Sequence, residues 1–129
     1  MSTNDTVRLR GIRGATTVES NTRDEILAAT SELLSALIDA NDIQPDDVAS
    51  VLFTTTQELN AEFPAVAARD MGWSRVALTC THEMYVPGSL PMCVRILMHV
   101  NTPKRQDEVQ FVYLRGAKAL RPDLTSDEK

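Results

Sequence analysis

The chain has 129 residues and a formal net charge of −5, with 43% hydrophobic and 24% charged residues. This size allows a single domain with one core, which we expect to span residues 1–129, and the composition is that of an ordinary soluble globular protein. The acidic balance and the lack of a basic patch argue against nucleic acid as a partner. No apolar run approaches the roughly 18 residues that a membrane span requires, so no membrane partner is expected.

The ends of the chain and its cysteines bear on where the protein works. The first residues, MSTNDT, are polar and lack the apolar stretch of a secretory signal. Two cysteines are too few for a disulfide framework, so we expect free thiols in a reducing cytoplasm. The polar ends, residues 1–6 and 125–129, are expected to be mobile.

The first predicted elements are a strand and a long helix. Residues 7–18 alternate as a strand and put Arg13 on the face of the apolar residues, with glycines nearby on both sides. Flanking glycines allow the close approach of another backbone or of a ligand, so Arg13 could lie at a binding site. The more common interpretation is an arginine near a strand end whose side chain extends into water. A capping box, Thr22-Arg-Asp-Glu25, then precedes an apolar stripe at helical spacing, and the stripe predicts a core helix that closes near Asn41.

A second strand and a short helix follow. Residues 48–56 are rich in branched and aromatic side chains, which favours a strand. Pro64 suits the first position of a helix over residues 65–71 that ends at Gly72. Phe63, just before this helix, is either an N-terminal hydrophobic staple, which is the more common role, or a wall of a pocket.

Three further strands are predicted, at residues 73–79, 92–101 and 109–119. The middle one is apolar on both faces, so a helix layer would cover one face and another copy of the chain the other. The order of elements predicts an α+β domain with a mixed five-stranded sheet packed by one long and one short helix.

One cation interrupts the most apolar strand. Arg95 lies inside it, and because an unpaired buried cation costs several kcal/mol, it should meet an anion from the protein or from a ligand. Glu83, in the preceding loop, is a candidate partner. Arg13, Arg95 and Arg121 could bind a small carboxylate through fork-shaped hydrogen bonds. Such a set offers little acid–base machinery and suits chemistry that depends on positioning and electrostatics.

Metal and covalent chemistry are less favoured by the residues. The potential ligands show no CxxC or HExxH spacing, so no metal site is expected. Cys80 and His82 suggest an activated nucleophile, but residues two apart on an extended chain face the same way without necessarily touching, so covalent catalysis is a minor reading. His82 and His99 are more simply a loop histidine and a strand-end histidine.

Several short motifs occur together, in order, between Val7 and Leu124. They are Arg10-Gly-Ile-Arg-Gly-Ala-Thr-Thr-Val18, Phe63-Pro-Ala65, Gly72-Trp73, Thr79-Cys80, Glu83-Met84, Cys93-Val-Arg95, Val112-Tyr-Leu114 and Leu120-Arg-Pro-Asp-Leu124. In these motifs the chain resembles the monofunctional chorismate mutases of the trimeric bacterial type. The resemblance implies α+β subunits in a homotrimeric pseudo-barrel with active sites at the subunit clefts. It also implies the rearrangement of chorismate to prephenate without a cofactor or a covalent intermediate.

The resemblance further implies roles for individual residues. Arg95 donates to the breaking ether oxygen and to a substrate carboxylate, while Glu83 and Cys80 contact the ring hydroxyl and the developing positive charge, and Glu83 orients Arg95. Arg13 and Tyr113 grip the side-chain carboxylate. The remaining implied contacts are the walls Leu78, Thr79 and, from a neighbouring subunit, Phe63 and Ala65, with Leu120 and Arg121 closing the mouth.

The sequence departs from the family pattern at one position, and two other functional classes remain as alternatives. Where the Bacillus pattern has a lysine, this chain has Val66, so aid to the ring carboxylate is missing or passes to Arg121. A trimeric small-carboxylate-binding or imine-processing protein of a related fold would lack the set of Cys80, Glu83 and Arg95. A catalytically silent interaction module would tolerate Arg95→Met.

Overall fold

The computed structural model describes residues 6–120, so Arg121 and the two ends expected to be mobile, apart from Thr6, lie outside the described residues. The elements are β1 (Arg8–Thr17), α1 (Arg23–Asn41), β2 (Val48–Thr55), α2 (Ala65–Asp70), β3 (Ala77–His82), β4 (Cys93–Thr102) and β5 (Val112–Tyr113), with 3₁₀ helices at Pro45–Asp47 and Arg115–Leu120. None of the helices in this part of the chain is long and apolar enough to cross a membrane.

The strands form one sheet in the order β3-β2-β4-β1-β5. The central strand β4 is antiparallel to both β1 and β2, while the outer strands β5 and β3 run parallel to β1 and β2. The prediction of an α+β fold with a mixed five-stranded sheet, one long helix and one short helix is therefore confirmed.

Helix α1 begins and packs as its sequence predicts. The Thr22 side chain accepts a hydrogen bond from the Glu25 backbone N–H at 3.2 Å, which is the first half of the predicted capping box. The helix ends at Asn41, and the C-cap residue Asp42 has a left-handed backbone. Its apolar stripe faces the sheet, and the fully buried members are Ile26, Ala29, Leu33, Leu34 and Leu37.

The short helix and the strand after it differ from expectation. Phe63 is 65% exposed, so it does not form the hydrophobic staple that the sequence favoured. The third strand was expected at residues 73–79 but lies at β3, because the Trp73 backbone N–H bonds back to Ala68 of α2 and the indole enters the core. Parallel pairing with β2 starts only at Ala77 and then continues to His82.

The fifth strand is much shorter than the predicted span of residues 109–119. It comprises only Val112 and Tyr113, after which Arg115 adopts a left-handed backbone with φ of 52° and the chain turns into a 3₁₀ helix. The hydroxyl of Thr17 accepts from the Gly116 N–H at 3.1 Å and holds this turn against β1. The predicted strand is therefore wrong from Arg115 onward.

The two faces of the sheet have different surroundings. The face that carries Ile96 and Met98 of β4 packs against the helices and is buried; we call it the helix face. The opposite, open face carries Arg95, Leu97 and His99, which are only half-buried within one chain. At the start of β1 it exposes Leu9, which is 56% accessible. The second face of β4, which was expected to be buried, is thus only partly covered within one chain.

Candidate active site

Arg95 and Glu83 form a two-point ion pair on the open face. Arg95 Nε donates to Glu83 Oε1 at 2.9 Å and Nη2 donates to Oε2 at 3.4 Å. The two side chains are 39% and 14% exposed, so the pair is partly shielded from water. The anion that the sequence required for Arg95 is therefore Glu83. Since a guanidinium has five N–H donors, this pairing leaves about three of them for a ligand.

A second arginine reaches the same region from β1. Arg13 pairs with Leu97 and Ala15 pairs with Arg95, so the two arginines are diagonal neighbours on the open face. The guanidinium of Arg13 lies 5.0 Å from the centre of the Phe111 ring, a cation–π contact that holds it over the sheet. The sequence did not assign this role to Phe111.

The C-terminal part of the described chain closes one side of this region. Tyr113 of β5 is buried and pairs with Ala15, and both line a cavity of about 170 Å³ together with Arg13 and Arg95. Leu120, at the end of the C-terminal 3₁₀ helix, packs against the same small cluster around Tyr113. Leu120 thus contacts the cluster that includes two lining residues of this cavity, Ala15 and Tyr113, and its closing role stays a prediction, whereas Arg121 is outside the described residues.

Cys80 belongs to a different cleft. It pairs with Phe53 of β2 and so points to the helix face, whereas Arg95 lies on the open face. The thiol side chain lines a cleft of about 390 Å³ with Phe63 and His82. Leu78 shares the face of Cys80, while Thr79 pairs with Leu52 and points the other way.

The electrostatics of Cys80 do not favour a nucleophile. Burial raises the pKa of the Cys80 thiol, and a backbone hydrogen bond from Ala65 and the charge of Arg69 only partly oppose this effect. His82 Nδ1 instead lies 3.1 Å from the Thr55 hydroxyl. Arg69, in the last turn of α2, is a cation near the Cys80 cleft that the sequence alone did not single out, because only the fold brings α2 beside β3.

One chain thus divides the predicted site residues into two groups. Arg13, Glu83, Arg95, Tyr113 and Leu120 lie at the open-face cavity, whereas Phe63, Ala65, Leu78 and Cys80 lie at or beside the Cys80 cleft. Of the residues that the structure describes, no arginine or lysine lines the Cys80 cleft. Within residues 6–120, no group of three or more histidine, cysteine, aspartate or glutamate side chains is arranged to hold a metal ion.

Comparison with known proteins shows to which family the chain is similar. Residues 9–124 match the family model described as chorismate mutase type I. A chorismate mutase of Bacillus subtilis is 48% identical over 91% of this chain and 93% of its own length, and one of Thermus thermophilus is 51% identical over 92% and 98%. A chorismate mutase structure from Clostridium thermocellum superposes with a TM-score of 0.84 at 52% identity, covering 84% of this chain and 97% of that one.

Proposed function

This chain belongs to the type I chorismate mutase family, and from that premise we propose that its two clefts are the two halves of one chorismate site. The reaction is an intramolecular Claisen rearrangement to prephenate, in which an ether C–O bond breaks while a C–C bond forms. The enzyme's task is to hold the enolpyruvyl group folded over the ring and to stabilise separated charge. The alternative of a carboxylate-binding or imine-processing protein finds no support in the relatives.

The observation that carries the proposal is the Arg95–Glu83 pair. Glu83 fixes the plane of the guanidinium through two hydrogen bonds and leaves the remaining donors directed away from itself. A preorganised donor of this kind stabilises an oxygen that gains negative charge, because it need not reorganise during the reaction. Arg95 is therefore proposed to donate to the ether oxygen, and Glu83 to orient it and to face the positive charge that develops on the ring.

The substrate is a dicarboxylate, so it needs cations on more than one side. Arg13, held over Phe111, and the Tyr113 hydroxyl are proposed to bind the side-chain carboxylate at the open-face cavity. The Cys80 cleft would supply the thiol, the ring wall Phe63 and the nearby charge of Arg69. With Val66 in the lysine position of the Bacillus pattern, Arg69 is the cation on α2 best placed to aid the ring carboxylate.

The separation of the halves supports a homotrimer with sites between subunits. The open-face cavity alone, at about 170 Å³, is smaller than the roughly 300 Å³ at which small-molecule pockets begin. The Cys80 cleft is large enough, but its lining within the described part of the chain contains neither arginine nor lysine. Joining the open-face cavity of one subunit to the Cys80 cleft of another would give one site that is large enough for the substrate and also contains arginines. Burial of the open sheet face against other copies would also cover Leu9 and Leu97.

The wider setting is proposed on the same basis. Prephenate formation is the step toward phenylalanine and tyrosine, and we assign the protein to that cytoplasmic pathway. No cofactor is assigned, because positioning and electrostatic stabilisation suffice for an intramolecular rearrangement.

The function is tested by following the loss of chorismate ultraviolet absorbance with purified protein in the presence of a chelator. We expect turnover without any added metal or nucleotide. Absence of turnover by folded protein would contradict the proposed function.

The shared site is tested by subunit mixing. Arg95→Ala removes the cation of one half, and Cys80→Asp places a negative charge in the other half beside the anionic substrate. Each variant alone should be nearly inactive, and unfolding and refolding them together should restore activity, since some mixed trimers contain a site with two intact halves. If the mixture stays as inactive as its components, the halves do not meet between subunits.

A further inference from the structure

The last residue of β2 and the segment that follows it hold the two ends of the loop between Glu83 and Met92. At the start of the loop, the Glu83 backbone N–H donates to the Thr55 carbonyl at 2.9 Å. At its end, the Cys93 N–H donates to the Thr56 hydroxyl at 3.1 Å, and the Thr56 N–H donates to the Cys93 carbonyl at 3.1 Å. This loop connects the two members of the Arg95–Glu83 pair, so its ends determine how they meet.

Glu58 makes the shortest of these contacts. Its Oε2 accepts from the Met92 backbone N–H at 2.6 Å and from the Thr56 hydroxyl at 2.8 Å. The hydrogen bond from Met92 is the main reason why the pKa of the Glu58 carboxyl lies below its ordinary value. Glu58 and Glu83 also line the same small cavity, of about 50 Å³, beneath the loop.

The backbone that Glu58 holds is strained. Met92 has φ of 55°, a left-handed conformation that non-glycine residues rarely adopt, and such conformations persist only where the surroundings enforce them. Two groups hold Met92 from opposite sides: its N–H donates to Glu58 and its carbonyl accepts from the Val18 N–H at 2.9 Å. Without Glu58, one of these two restraints is lost and the peptide is free to relax toward ordinary φ values.

The strain matters because the strand that carries Arg95 starts at the next residue. β4 begins at Cys93, and Arg95 lies only three positions beyond Met92. A change in the peptide at Met92 would shift the start of the strand relative to Glu83, whose own backbone is fixed separately to Thr55. We propose that Glu58 is a positioning residue for the rearrangement: by holding Met92 it sets the geometry of the Arg95–Glu83 pair without touching the substrate. This inference rests on the role of Arg95 proposed above.

The test compares Glu58→Ala with Glu58→Gln. Alanine removes the acceptor for the Met92 N–H, whereas glutamine keeps a carbonyl oxygen at the same reach and loses only the charge. Since misplacing a catalytic group by about 1 Å can cost about a hundredfold, we expect Glu58→Ala to lower kcat about ten- to a hundredfold with KM changed less than about threefold. Glu58→Gln should retain kcat within about threefold of the parent.

Glu108→Ala is the matched control. The Glu108 carboxylate accepts from the Arg105 N–H at 2.7 Å in an exposed turn of the β4–β5 connection, a similar bond with no link to Glu83. Its loss should leave kcat unchanged. Amide hydrogen exchange provides a second readout, and exchange at Met92 and Cys93 should rise in Glu58→Ala but not in Glu58→Gln. If Glu58→Ala is too unstable to assay, Glu58→Ser, whose hydroxyl is too short to reach Met92, replaces it.

The outcomes distinguish a failure of the role of Glu58 from a failure of the proposed site at Arg95. If Arg95→Ala is inactive but Glu58→Ala keeps the parental kcat, the positioning role is wrong and the proposed site stands. If Glu58→Gln falls as far as Glu58→Ala, the charge and not the hold on Met92 is what matters, and the inference is overturned. If Arg95→Ala itself turns over like the parent, the proposed site has failed and not only this inference.

Discussion

Replacement of Arg95 by lysine tests the central electrostatic argument. The substitution keeps the positive charge but removes the planar guanidinium. It therefore separates the effect of the charge from the effect of the guanidinium's fixed N–H geometry. In the parent, Glu83 occupies two donors of the guanidinium, at 2.9 and 3.4 Å, and about three N–H groups remain for the substrate. A lysine ammonium has three donors on a single atom. Because one or more of them must still satisfy Glu83, its charge is drawn toward the carboxylate and away from the ether oxygen.

The magnitude follows from the loss of a donor that acts mainly in the transition state. Removal of one preorganised oxyanion donor typically costs about 2.7–4 kcal/mol, or about 10²–10³ in kcat. Arg95 is part-buried and its partner Glu83 is more so, so water replaces the lost contact only partly. We therefore expect Arg95→Lys to lower kcat by about 10²–10³, with a smaller change in KM because the charge that attracts the dianion remains.

The assay is the initial rate of chorismate loss at saturating substrate, with folding checked by a thermal melt. Arg105→Lys is the control, since Arg105 pairs with Asp107 in the same two-point geometry, at 3.0 and 3.4 Å, but on the exposed surface. This control should keep the parental kcat. If Arg95→Lys keeps kcat within about fivefold of the parent, the guanidinium geometry contributes too little to transition-state stabilisation for the assigned role, and the reasoning is refuted.

Three further substitutions have distinct expected outcomes. Cys80→Ser should lower kcat/KM less than about tenfold, because the thiol is a polar contact and not a nucleophile; complete loss of activity would revive covalent catalysis. Thr16→Val should raise the free energy of unfolding in urea by about 1 kcal/mol, since the Thr16 hydroxyl is buried and has no hydrogen-bond partner within residues 6–120. Gly14→Ala should lower it by about 1–3 kcal/mol, because a Cβ there would lie 3.0 Å from the Val112 carbonyl and from Leu37.

The stability predictions have matched controls in the same sheet and helix. Thr30→Val should not stabilise the protein, because the Thr30 hydroxyl donates to the Ile26 carbonyl at 2.7 Å. Gly11→Ala should cost little, since the nearest neighbour of its Cβ is Leu97 at 4.0 Å. An equal gain in both threonine variants would contradict the role of the unpartnered hydroxyl, and an equal loss in both glycine variants would contradict the role of the steric clash.

Local sequence patterns predicted those elements whose causes are local. The hydroxyl of Thr22 caps α1 through a bond to a residue only three positions away, and the apolar stripe at helical spacing is buried, so this helix was predicted correctly. The strands at Trp73 and after Tyr113 were misjudged because distant bonds decide them. The Trp73 N–H bonds back to α2, and the turn after Tyr113 is held by the side chain of Thr17.

In the candidate site, too, some features follow from the sequence and others depend on the fold. Reasoning from the sequence alone determined that a guanidinium inside an apolar strand needs an anion, and Glu83, only 12 positions away, was within reach of that argument. Only the tertiary structure decided that Cys80 faces away from Arg95, because the face of a strand residue depends on its register with neighbours far along the chain. The contacts of Phe111 with Arg13 and of Glu58 with Met92 likewise join residues that no local pattern relates.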